Sequence, residues 1–405
     1  MLRTPFAFFR GAAAVMAADL ARTPTSGLRV QLCGDAHLEN FGGYAAPDRN
    51  LVFDVNDFDE TLPGPWEWDL KRLAASISVA GRDRGFGASD RRHAVNAMAG
   101  AYRRAMGSFA QMRTIDVWYA RLEIARQFEI WAGRASNARR KGLDRTLAKA
   151  RAKDSLRAFA KLAHDVNGEP RIVSDPPLIV PIEELGLDGE PSLIREALMA
   201  MFAEYRQTLQ GDRQHLLSGY QPVDLAHKVV GVGSVGMQAW ILLLLGHDSS
   251  DPLFLQVKEA ESSVLEPFVG PSRFDTHGQR VVEGQRLMQA ASDLFLGWLR
   301  IDAGIDGRRH DYYVRQLWDA KGSAQVDLMS ASELSDYAEI CGWTLARAHA
   351  RSGNRAAIAA YLGRSDRFDL ALTRFAEAYA DQNARDYEAF AAAVKTGVVA
   401  AEIGV

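Results

Sequence analysis

Apolar residues recur at helical spacing in "PFAFFRGAAAVMAADLA", which predicts a helix over about residues 6–21. The pattern then changes to short apolar runs, so "LRVQLCGD" and "NLVFDVNDFDE" read as strands. Between them lies "CGDAHLENFGGY", residues 33–44, which packs Asp35, His37, Glu39 and Asn40 between glycines. The breaker string "TLPGPWEW" closes this region, and a helix begins near Asp69 with "DLKRLAASISVAG". From about 88 to 165 the spacing is helical throughout. Its basic portion, "ARRKGLDRTLAKARAKDSLRAFAKL", sets Leu143, Leu147, Leu156 and Phe159 among the charges; a solvated helix face or an anion-binding patch both fit.

After "DPPLIVPIEELG" the pattern becomes strand-like, with "LAHKVVGVGSVG", "MQAWILLLLG" and "PLFLQVKEA" filling residues 220–260. A helix over about 276–291 comes next, then two more strands, "DLFLGWLRI" and "HDYYVRQLW". From about 331 onward the chain is helical again. This order predicts an α+β protein with a helical lobe at 1–215, a β-rich lobe at 216–325, and C-terminal helices at 326–405 packed back on the first lobe.

Composition adds bounds. A chain of 405 residues with 47% hydrophobic content can bury a core large enough for two or three lobes. Charged residues make up 24% and the formal net charge is -3, so neither nucleic acid nor a membrane surface is expected as a partner. Two cysteines, Cys33 and Cys341, exclude a disulfide framework and an all-cysteine metal site, and they fit a reducing compartment. Arg10 interrupts the apolar N-terminal segment, and Asp19 stands where a signal peptide needs small neutral residues. The longest apolar run, "AWILLLLG" at 239–246, is too short to span a bilayer. A cytoplasmic, soluble protein is the expectation.

Several stretches carry candidate chemistry. "GVGSVG" at 231–236 matches G-x-G-x-x-G, but the bulky "MQAWILLLL" follows directly and leaves no room for the helix of a dinucleotide fold. The glycines therefore read as the tip of an antiparallel hairpin, either a plain turn or a loop laid over nucleotide phosphates. The next strand ends in Lys258, and a lysine on a buried strand is costly unless a carboxylate or phosphate meets it. Glu283, on the following helix, is the expected partner. Glu259, Glu261 and Glu266 are rivals too close in sequence to fold back easily.

The opening cluster then gains meaning. Asp35 and Asn40 have the D-x-x-x-x-N spacing of a kinase catalytic loop, where the aspartate takes or orients the proton of the attacking hydroxyl and the asparagine holds Mg²⁺. "NDFDE" ends the next strand with Asp57, which stands where a metal-binding aspartate follows; Asp54 is a competing ligand. Turn capping by these residues and a His37/Asp35 metal site are the other readings.

"GDAHLEN" resembles the catalytic loop of aminoglycoside phosphotransferases, within the protein-kinase-like superfamily, and "DFD" resembles their metal-binding stretch. "WEWDLKRLA" looks like their D-L-A helix start, which makes Asp69 a brace for the loop. Nearly the whole chain resembles a bacterial domain-of-unknown-function family, number twenty-two fifty-two, through "GDAHLENFG", "VFDVNDFDETLPGPWEWDLKRLAAS", "RVVEGQRLMQAASD" and "YYVRQLWDAKGS". The resemblance implies a two-lobed protein-kinase-like fold that is circularly permuted, because Asp35 precedes Gly231 by about 200 residues. It implies an ATP- and Mg²⁺-dependent phosphotransferase acting on an unknown small-molecule or protein acceptor. Asp35 would be the catalytic base, and Asn40 and Asp57 the metal ligands. Gly231, Gly233, Ser234, Gly236, Lys258 and Glu283 would bind the nucleotide, with an adenine-binding hinge near Arg315–Asp319. A non-catalytic nucleotide-binding module and an AMP transferase are the alternatives. Arg10 reads as a helix-surface residue or a phosphate contact, and His349 as a packed helix residue.

Overall fold

The computed structural model describes residues 1–126, 155–166, 168–185, 191–228, 238–304, 306–317 and 322–399. The N-terminal helix divides in two, α1 (Pro5–Gly11) and α2 (Ala13–Leu20), because Ala12 leaves the helical region at φ -109° and ψ 36°. Strands β1 (Arg29–Leu32), β2 (Phe41–Ala45), β3 (Leu51–Val55) and β4 (Leu62–Pro65) follow, then helices α3 (Glu67–Asp83), α4 (Ala88–Gln111) and α5 (Thr114–Tyr119). The helical pattern expected up to residue 165 stops earlier. Strand β5 (Leu122–Glu123) interrupts it, and after α6 (Ser155–Leu162) come β6 (Ala163–Val166), β7 (Glu169–Ile172) and β8 (Ile179–Pro181).

Helices α7 (Pro191–Gln207) and α8 (Gly211–Leu217) lead into the β-rich part: β9 (Gln221–Lys228), β10 (Ala239–Leu245), β11 (Pro252–Ala260), the short α9 (Glu266–Val269), α10 (His277–Met288), β12 (Gly297–Ile301) and β13 (His310–Gln316). The strand expected from "DLFLGWLRI" starts only at Gly297, since Asp293 ties the preceding residues into a turn by accepting the Phe295 N–H at 2.8 Å. Strand β14 (Gly322–Ser323) and helices α11 (Ala331–Ser352), α12 (Arg355–Leu362) and α13 (Arg367–Lys395) complete the chain.

Two small antiparallel sheets frame the acidic loops: β1 pairs with β4, and β2–β3 form a hairpin at the centre of the order β14-β2-β3-β5. The large sheet is six-stranded and antiparallel, in the order β12-β13-β11-β10-β9-β8. It thus recruits residues 179–181, and α7 and α8 cover one of its faces with Phe202, Tyr205 and Leu217 against Trp240, Leu242 and Leu255. The opposite face packs Ala158 and Leu162 of α6 on Ile241, Leu243 and Phe254. Strand alternation therefore sends Val257 to the α7 side and its neighbour Lys258 to the other.

The helical body is built on α3, α4 and α11. Helix α11 opens with a capping box in which Ser330 and Glu333 exchange side-chain bonds to backbone. It lies tight on α4 at Gly342, where a Cβ would meet the Met98 carbonyl oxygen at 2.3 Å. Helix α13 crosses both α3 and α4 through Glu377, which accepts from Arg82 and Arg91. The main core runs continuously from Phe9 and Trp66 in this body to Val281 and Val282 of α10 and Tyr313 of β13, so body and sheet share one apolar interior. Among the described residues, no helix is long and apolar enough to cross a membrane.

Candidate active site

The loop after β1 is held from behind. Asp69, in the first turn of α3, accepts the backbone N–H groups of Cys33 at 2.8 Å and Gly34 at 3.1 Å. His349 of α11, fully buried and hydrogen-bonded to the Tyr102 hydroxyl at 2.8 Å, stands 3.3 Å from the same carboxylate. Asp69 is thus the brace expected of it, and His349 is a packed residue. Gly34 sits at φ +87°, and a Cβ there would lie 2.2 Å from the Glu60 carbonyl oxygen, so the two acidic loops touch at a position open only to glycine.

Asp35 emerges from this loop and is gripped by the Nε of Arg72, one turn along α3 from Asp69. Arg72 is itself fixed by a bond to the Phe9 carbonyl at 2.9 Å and by the Phe9 ring 4.4 Å from its guanidinium carbon. His37 is buried, which pushes its pKa down to about 4 against the pull of Asp35, so its ring is neutral at pH 7. At 3.7 Å from Asp35 it forms neither an ion pair nor a hydrogen bond at that pH. Arg10 pairs with Glu39 at 2.9 Å on the adjoining surface.

Asn40 donates its Nδ2–H to the Asp35 carbonyl at 2.7 Å, which leaves Oδ1 as the atom able to ligate a cation. Its own carbonyl accepts the Asn56 N–H at 2.8 Å and so joins the first loop to the second. In the second loop Phe58 is buried between two aspartates. Asp57 accepts the Asp59 N–H at 3.3 Å, and its charge bears on His37 on one side and on Lys258 and Arg315 on the other.

Lys258 ion-pairs with Asp59, which also accepts the Tyr313 hydroxyl at 2.8 Å. Burial alone would lower the Lys258 pKa, but the facing Asp59 carboxylate carries it above the ordinary lysine value. Burial raises Asp59, with Asp57 adding to the effect. The expected partner Glu283 is elsewhere: it lies on the exposed side of α10 and bonds Arg286 at 3.0 Å. The reason is local. Helix α10 turns Val281 and Val282 into the core, leaving Glu283 outside, while Asp59 arrives from the second acidic loop.

Asp54, the competing metal ligand, is taken by structure. It forms a buried ion pair with Arg347 and accepts the backbone N–H groups of Ala290 and Val55. Arg315, placed in the expected hinge, is on β13 beside the second acidic loop, donating to Gln256 at 3.0 Å and to the Asn56 carbonyl at 3.3 Å. Residues 318–319 of that hinge, and Gly231, Gly233, Ser234 and Gly236, lie outside the described residues.

Sequence reasoning missed Arg72, Asn56 and Asp59. The spacing Asp69-x-x-Arg72 put Arg72 on the same helix face as the brace, and alternation around Phe58 put Asp57 and Asp59 on one side. Two buried atoms at the site, His37 Nδ1 and Asn56 Nδ2, have no hydrogen-bond partner among the described residues. No group of three or more His, Cys, Asp or Glu side chains among the described residues forms a metal cage. A magnesium ion carried on phosphates needs only one or two protein oxygens, which Asp57 and Asn40 can supply.

Glu60, beside Asp59, is half-buried, and loss of solvent raises its pKa to about 7, although the Val264 N–H donates to it at 2.7 Å. A carboxyl raised in the folded state gives most stability while protonated, so that contribution disappears as pH climbs from about 4.5 through 7. Wild type is expected to lose about 2–3 kcal/mol more than Glu60→Gln between pH 5 and pH 8. Urea midpoints at the two pH values measure this, and parallel curves would refute it.

The molecule is therefore an α+β protein in which two acidic loops of a helical body face a lysine-bearing antiparallel sheet. It belongs to a bacterial family described as "Uncharacterized protein conserved in bacteria (DUF2252)", whose model matches residues 1–393. No curated protein and no solved structure matches the chain.

Proposed function

We propose that this protein is an ATP- and Mg²⁺-dependent phosphotransferase of kinase-like, circularly permuted construction, with a hydroxyl-bearing acceptor. One observation carries the reading: hydrogen bonds, with the chain itself joining Asn56 to Asp57, link the Asp35 loop, Asn40, Asn56, the Asp57–Asp59 loop and Lys258, although Lys258 is 199 residues from Asp59. Phosphoryl transfer requires little covalent chemistry from a protein and much positioning and charge neutralisation, which such a path provides. In this reading Asp35, aimed by Arg72, accepts the acceptor's hydroxyl proton. The freed oxygen attacks the γ-phosphorus while the bond to the β-phosphate oxygen breaks and ADP leaves. Lys258 exchanges Asp59 for the nucleotide phosphates, and Arg315 adds a second cation at the same wall. Asp57 and the Oδ1 of Asn40 would hold a magnesium ion, which would supply charge neutralisation at the phosphates.

Asp57→Ala is expected to abolish metal-dependent ATP binding, read as loss of the thermal shift that wild type shows with ATP·Mg²⁺. Undiminished binding in that variant, or no shift in wild type, would sink the assignment. A shift without ATP consumption would favour a non-catalytic nucleotide-binding module, for which Lys258 and Asp57 suffice. Product masses separate phosphoryl from AMP transfer, since one added phosphoryl group is about 80 Da.

A further inference from the structure

On the far side of the sheet from Lys258, a cavity of about 290 Å³ opens between α7 and strands β9–β13. Leu198, Phe202, Trp240, Val257, Leu299 and Val314 are among the side chains that line it, and none of its described lining residues is charged. The polar wall is narrow. The Tyr312 hydroxyl donates to the Gln238 side-chain oxygen at 2.8 Å, while the Tyr205 hydroxyl is already engaged with the Phe295 carbonyl. This space is roughly twice the size of an apolar cavity that stays dry and takes up benzene. Water gains little here, because it needs two to four polar partners, and an ion would enter unpaired.

We infer that this cavity is a binding site for an uncharged, mainly apolar small molecule carrying one hydrogen-bonding group, of the size of a two- to three-ring aromatic or a medium-chain alcohol. The apolar part fills the space between α7 and the sheet, and the polar group meets Gln238 and Tyr312. The site is separate from the acidic loops: Val257, Tyr312 and Val314 face it, whereas their neighbours Lys258, Tyr313 and Arg315 face the Asn56–Asp59 loop. It does not depend on the phosphotransferase reading.

The test uses the whole chain and the neutral fluorophore N-phenyl-1-naphthylamine, with decanol and decanoate as competitors. A saturable, one-to-one fluorescence rise is expected, with decanol displacing the probe at least tenfold better than decanoate. Ala303→Trp, at the exposed rim, and Val314→Phe, inside, should each weaken the probe at least tenfold. Because Ala303 is exposed, its variant reports even where the interior one unfolds. Absence of saturable binding, equal competition by decanoate, or unchanged affinity in folded Ala303→Trp would overturn the inference.

Discussion

Arg347→Met is expected to lower folding stability by about 3–5 kcal/mol, the cost of leaving one member of a buried ion pair without its partner. Arg347 and Asp54 are each about 1% exposed, so no solvent is at hand to take over the carboxylate. The guanidinium also donates to the Met288 carbonyl at the end of α10, and Asp54 accepts the Ala290 N–H at 2.8 Å just beyond it. One substitution therefore loosens β3, α10 and α11 together. Urea unfolding should show a lower midpoint at unchanged slope. Adding Asp54→Leu to Arg347→Met should recover part of the loss, because it removes the stranded charge. A loss below about 1 kcal/mol would mean the pair is dispensable.

On the proposed phosphotransferase reading, Asp35→Asn should reduce turnover by about 10²–10⁴-fold, the usual worth of a positioned general base, while nucleotide affinity stays within about twofold of wild type. The substitution keeps the size of the side chain. The loop itself rests on Asp69 and on Asn40, which bonds the backbone carbonyl at position 35 rather than its carboxylate. On the proposed mechanism Arg72→Leu should mimic this partly, lowering kcat without changing ATP binding, because Arg72 holds Asp35 in place. Single-turnover measurements separate the steps. Loss of ATP binding in Asp35→Asn would move the residue into the ligand set, and unchanged turnover would remove it from the chemistry.

How much of this was legible depended on the range of the interaction. β10 and β11 were readable because their apolar runs are long enough to be buried on both faces, and α3 because acidic residues open it after a breaker string. The split at Ala12 was not, since helical periodicity continues across it and only the backbone angles depart. Strands β5–β8 escaped for a different reason: each is only two to four residues long, and β5 and β8 depend on partners distant in the chain, β3 and β9, while β6 and β7 pair with each other. At the site, local spacing gave Asp35, Asn40, Asp57 and Lys258. It could not tell which carboxylate answers Lys258 or which aspartate of "VFDVNDFD" is occupied by Arg347, because both answers come from residues 199 and 293 positions away.

Those two separations also bear on how the chain assembles during synthesis. The acidic loops leave the ribosome long before the cations that neutralise them, and at about 5–20 residues per second the delay for Lys258 is roughly 10–40 s. Until then Asp54 and Asp59 have no long-range counter-charge, and water solvates them better than a half-formed interior does. The acidic centre therefore cannot set until its cations have been made and the long loops between them have closed. A nascent chain arrested before β11 should accordingly expose residues 54–60 to proteases that the finished protein resists.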